Sequence, residues 1–213
     1  IENGVFAFSG KTDSIAIRFI SVQEDAKVAP ALFILEDGNI EVTLDSVPTE
    51  KGTPMNDKYQ GFADKAKEIN KKMTALGEEY QTIAEGAQLD PSKAEESAAK
   101  LKKIEEDYDV QSKEMTKLMF DYTKENIQNP VGEFFFLTSA PAFDDAQLNE
   151  LLPLIRPQFK TNEHIKRLEE DMVAKEASAV GKQFIDVKGN TPEGKEVALS
   201  DYAGKGKVVL IDF

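Results

Sequence analysis

Hydrophobic positions along this chain follow two periods, and the change falls at Thr53. Upstream the period is two. Ile15, Ile17 and Phe19 alternate with Ala16, Arg18 and Ile20, and Ile40, Val42 and Leu44 alternate with Asn39, Glu41 and Thr43. Between them Leu32-Phe33-Ile34-Leu35 runs into the turn Glu36-Asp37-Gly38-Asn39. Alternation of this kind marks half-buried strands, so an antiparallel β-meander is expected here. Asn3-Gly4 is a strong two-residue hairpin signal with only Ile1 and Glu2 before it, which predicts a partner strand upstream of Ile1.

From Thr53 the period is helical. Thr53 suits an N-cap and Pro54 the first helical position. Met55, Tyr59, Phe62, Ala66, Ile69, Met73, Leu76, Tyr80 and Ile83 then recur at alternating spacings of four and three. That is a coiled-coil-like seam, in which Gly77 costs ~1 kcal/mol relative to alanine. The pattern breaks over Ala87 to Ser92, where Ser92 and Glu95 form a capping-box candidate for a second helix. Ala94, Ala98, Leu101, Ile104, Tyr108, Met115, Leu118 and Tyr122 carry its seam, with Gln111 as the one polar member. A short turn between two such helices predicts an antiparallel hairpin with arms of ~45–50 Å.

Asn129-Pro130 ends that hairpin. Phe134 to Leu137 reads as a buried helical turn beneath it. Asp144 to Ile155 and Thr161 to Ala177 read as amphipathic helices, the last capped by Thr161 and buried along Ile165, Leu168 and Met172. The character changes again after Val180. Gly181 to Val187 and Glu196 to Leu199 read as short strands, Asn190 to Glu193 as a turn, and Ser200-Asp201 as the cap of one helical turn. Lys207 to Phe213 reads as an apolar strand of the kind buried on both faces of a mostly parallel sheet. The rest of that sheet is expected downstream. The fold class is therefore α+β: a meander, a long helical hairpin and further helices over 1–180, then the start of an α/β domain over 181–213.

Composition narrows the function. Of 213 residues 40% are hydrophobic and 31% charged, as in an ordinary globular domain, and no run approaches the ~18 apolar residues of a membrane span. The net charge of −13 argues against nucleic acid and against anionic membrane surfaces. That charge sits before Gly181, since 181–213 balances 5 Lys against 5 Asp or Glu. An acidic body joined to a neutral end is a second sign of two units. The chain has no cysteine, which excludes disulfides, thiolate metal sites and a cysteine nucleophile within it.

Three segments of the tail, Gly181-Lys-x-Phe-x-Asp, Leu199-Ser-Asp-Tyr and Gly204-Lys-Gly-Lys-Val-Val-Leu-Ile-Asp-Phe213, resemble the entry to a thioredoxin-like domain of the TlpA/ResA type. In that family the last segment is the central strand, and it leads into a Trp-x-x-Trp-Cys-x-x-Cys site. Phe33 to Leu44 with Glu36-Asp-Gly38, Gly52-Thr-Pro-Met-Asn-Asp-Lys-Tyr59 and Asn129-Pro-Val-Gly132 resemble a domain fused before such modules in Bacteroidetes envelope proteins. The resemblance implies an accessory part of an envelope thiol–disulfide oxidoreductase, periplasmic or lipid-anchored near a missing N-terminus. Its implied partners are protein thiols or disulfides, with the helical hairpin as the surface for a homodimer. Without a cysteine this chain is expected to be inactive by itself. A peroxiredoxin-like fragment and a non-enzymatic binding module with a degenerate tail are the alternatives.

No catalytic, cofactor or metal residue is nominated. His164, the one histidine, has no clustered partner and reads as a surface residue. Glu105-Glu-Asp107 and Glu169-Glu-Asp171 lack EF-hand spacing and read as solvated helix faces. Asp144-Asp145 reads as a helix-terminal charge. Gly204-Lys205-Gly206-Lys207 lacks the phosphate-loop pattern and precedes a strand. The tip at Ala87 to Asp90 is the expected place for a partner.

Overall fold

The computed structural model describes residues 4–22, 28–206 and 208–211. It divides into two compact units, Ile1–Asn162 and Glu163–Phe213. The first holds strands β1 (Ala16–Ile20), β2 (Ala31–Leu35), β3 (Glu41–Thr43) and β4 (Thr49–Lys51) and helices α1 (Pro54–Leu89), α2 (Ala94–Asn126), α3 (Pro130–Ser139) and α4 (Asp145–Leu151). The second holds α5 (Glu163–Ala177), β5 (Lys188–Asn190) and β6 (Glu196–Ala198). The α+β class is as expected.

The strands form separate antiparallel pairs instead of one meander. β1 pairs with β2, placing Ile17 opposite Ile34, and β3 pairs with β4, placing Val42 opposite Glu50. The turn Glu36–Asn39 does not join β2 to β3 as a hairpin, and Glu36 Oε1 accepts instead from Met55 N–H at the start of α1. β4 went unforeseen: Thr49-Glu50-Lys51 has no apolar alternation. Asn3 lies outside the described residues.

α1 and α2 form the expected antiparallel hairpin, and the seam does face inward. Burial along the seam is uneven, however. Ile69, Ile104 and Met115 are buried, whereas Tyr80 is 37% exposed, Tyr108 42% and Leu89 87%. Two helices alone leave one side of every seam residue open. At the base a third element closes that side: Phe135 of α3 packs edge-on to Phe62 (5.3 Å) and Tyr122 (4.9 Å), which stack on each other at 4.5 Å. Ile34, Tyr122, Val131 and Phe135 are the centre of this core, with Ile17, Met55 and Tyr59 around it. The Phe134–Leu137 run is thus helical and largely buried, with Leu137 turned outward.

In three places where a capping hydroxyl is expected, it bonds another nearby polar group instead. Thr53 stands at the N-cap of α1 with Pro54 opening the helix, as expected, but its hydroxyl accepts from Asn56 Nδ2 and not from a backbone N–H of the first turn. Ser92 donates its N–H and hydroxyl to Asp90 Oδ1, so α2 begins only at Ala94, after a 3₁₀ turn over Pro91–Lys93. Thr161 donates to the Gln158 carbonyl, and α5 starts at Glu163.

In the second unit Ile165 is buried and Leu168 and Met172 are half-buried, the face expected of α5. β5 and β6 make a hairpin, with Gly189 opposite Val197. Residues 181–187 form no strand, and neither do 208–211, where Val208 is 100% and Leu210 92% exposed. A strand needs a continuous ladder; 181–187 makes one backbone bond of that kind, from Leu199 N–H to the Val187 carbonyl at 2.9 Å. Lys207, Asp212 and Phe213 lie outside the described residues. No described helix is long and apolar enough to cross a membrane.

Candidate functional site

The first twist of α1 is bound to the strands by an interlock of polar side chains and close backbone contacts. Asn56, fully buried, accepts from Ile34 N–H at 2.8 Å and donates to Ile34 C=O at 2.7 Å. One side-chain amide thus serves the β2 edge as a neighbouring strand would. Glu36 Oε1 accepts from Met55 N–H at 2.8 Å, satisfying a donor that a helix N-terminus leaves orphaned. Asp57 accepts from Gly52 N–H at 2.9 Å. Gly52 has φ 97° and lies so near Asn39 that a Cβ would stand 2.4 Å from its carbonyl oxygen, which no other residue tolerates.

Beside this clamp lies a buried acid. Glu50 is 3% exposed, and its N–H donates to Gln60 Oε1 at 2.7 Å. Burial, then the Asp64 charge, holds its carboxyl above the usual glutamate range. Burial, then the Glu50 charge, pushes the Tyr59 phenol up to about 12. Tyr122 is raised too, by burial first and then by Tyr59 and Glu125. Its hydroxyl is buried without a hydrogen bond. The phenols stay protonated and none is poised as a nucleophile. The chemistry of the clamp is positional: it sets the hairpin against the strands.

Farther out, where the seam is uncovered, the hairpin carries a groove of about 300 Å³. Leu76 and Ile104 are its deeper residues, Tyr80 and Tyr108 its exposed aromatics, and Glu105 and Asp109 its carboxylates. The Tyr80 hydroxyl donates to Glu105 Oε1 at 3.3 Å. Gly77 also lines it, and a Cβ there would meet nothing within 4 Å. A second depression lies along Lys72, Glu79 and Gln111, whose side-chain oxygen is buried without a partner.

The residues weighed from sequence are scattered. His164 is exposed in the first turn of α5. Asp144 caps α4 in a reciprocal box with Gln147. Glu105 belongs to the groove, Glu106 is exposed, and Glu169–Asp171 lie on α5. Gly204 and Gly206 both have φ 75°. Among the described residues no group of three or more His, Cys, Asp or Glu is placed to hold a metal ion. Sequence reasoning missed Asn56 and Glu50, whose roles depend on distant partners. For the groove a signal existed: Gly77 in an otherwise regular seam.

Residues 1–59 match the model of a family described as a domain of unknown function, DUF4369. The matched stretch contains the whole interlock, from Ile34 and Glu36 to Asp57. No curated protein and no solved structure matches the chain.

Proposed function

We propose that this chain is the accessory part of an envelope thiol–disulfide oxidoreductase. Residues 1–180 position the redox unit and choose its partners, and a cysteine pair outside residues 1–213 performs the exchange. The carrying observation is in the tail. Asp186 accepts from the Ser200 N–H and from its hydroxyl, both at 2.8 Å, joining Gly181-Lys-x-Phe-x-Asp186 to Leu199-Ser-Asp-Tyr202. These bonds, the backbone one foremost, hold the Asp186 carboxyl below the usual range. Two of the three segments on which the thioredoxin-like resemblance rests therefore meet through their own polar residues, which supports reading them as one entry unit. The test is insulin reduction by dithiothreitol. The whole encoded protein is expected to accelerate it and residues 1–213 to leave the rate unchanged. A whole protein without effect overturns the reading in favour of a binding module that performs no exchange.

A further inference from the structure

We propose that the groove of the α1–α2 hairpin docks a partner protein segment with an apolar stripe flanked by lysine or arginine. Three observations meet there. Gly is the least favourable residue but proline for a helix interior, and outside its own helix turn no described atom comes within 4 Å of where a Gly77 side chain would begin, as is also true of Gly61 and Gly86. Its own packing does not require glycine, and the open space beside it admits an incoming side chain. Of the three glycines inside α1, Gly77 alone lines this groove.

The groove is also apolar where it is deep and acidic where it is open. Leu76 and Ile104 offer contact area, and Tyr80 and Tyr108 present aromatic surface beside the Glu105 and Asp109 carboxylates. Aromatic faces next to carboxylates favour a cationic side chain on a hydrophobic stem.

The surrounding charge selects among occupants. From Leu76 to Val110 the hairpin has 10 Asp or Glu and 4 Lys. Three of those lysines already pair with Asp90, Glu96 and Asp107 on the hairpin itself. A second copy would bring the same acidic surface from a chain of net charge −13, so like charges would face each other. A basic partner is complementary. The proposal is independent of whether the parent protein exchanges disulfides.

The experiment uses residues 1–213 and two labelled synthetic peptides at one ionic strength, read by fluorescence anisotropy. One peptide has leucines at helical spacing flanked by lysines. The other has equal charge but glycine for leucine. The first is expected to bind at least about tenfold more tightly, and G77L, which fills the groove, to weaken it by about tenfold. Tyr108→Ala should weaken it in the same sense. Because leucine favours helix and the space is open, G77L should keep or raise the thermal midpoint, so lost binding is not lost folding. Equal affinity for the two peptides overturns the proposal, as does binding unchanged in G77L. Sedimentation showing a dimer of the chain that G77L dissociates would assign the groove to a second copy and overturn it as well.

Discussion

Truncating Asn56 to alanine should cost more than any other single polar deletion at the base of the hairpin. The side chain is fully buried and makes three hydrogen bonds, to Ile34 N–H at 2.8 Å, to Ile34 C=O at 2.7 Å and to the Thr53 hydroxyl at 2.7 Å. Each such bond contributes about 1 kcal/mol net. Ile34 is itself 0% exposed, so its freed N–H and C=O have no route to water, and each buried orphan adds about 1–3 kcal/mol. The total is about 4 kcal/mol after allowing for relaxation, a large share of the ~5–15 kcal/mol of a typical domain. Urea unfolding followed by far-UV circular dichroism measures it, because α1 and α2 dominate that signal. Asn70→Ala, an exposed site on the same helix, is the control and should be neutral or slightly stabilising. Asn56→Asp keeps the shape but aims a carboxylate oxygen at the Ile34 carbonyl. Its charged form is disfavoured, so its deficit should shrink as pH falls through the carboxylate range. A loss below about 1 kcal/mol for Asn56→Ala would refute the idea that this amide stands in for a strand.

Two further expectations test the surroundings. Gly132→Ala should destabilise by roughly 3 kcal/mol or more in the same urea assay, because its Cβ would lie 2.1 Å from the Asn126 carbonyl oxygen, a backbone atom that cannot rotate away. Glu50→Gln should stabilise the protein at neutral pH. The folded carboxyl titrates above its ordinary 4.5, so the protonated form supports folding below that pH and the support is lost as pH rises through the raised value. The Gln-minus-Glu difference should therefore be near zero in acid, grow across that window and then level off. A flat difference across pH would rule out the buried acid as its cause.

The hairpin was legible because its signal is local: a seam at spacings of four and three states which side of each helix is buried without reference to anything distant. The clamp was not, because Asn56 and Asp57 look like ordinary polar residues of a first helical turn until Ile34 and Gly52 are brought beside them. Gly52 and the Asn129-Pro130-Val131-Gly132 stretch lie between these cases. They were visible as a pattern, and only the structure supplies causes: a carbonyl 2.4 Å from where a Gly52 Cβ would be, and an Asn129 side chain that accepts from Val131 and Gly132 N–H. Gly77 differs from all of them. Gly52 and Gly132 are crowded by backbone, so packing within the chain accounts for them. Gly77 breaks the local rule in a regular seam, and nothing within 4 Å accounts for it. A sequence departs from its own pattern most often where something besides folding is being served. Gly61, Gly77 and Gly86 all weaken α1 without relieving crowding from other elements, and Gly77 is the one that lines the groove, so a partner is best sought there.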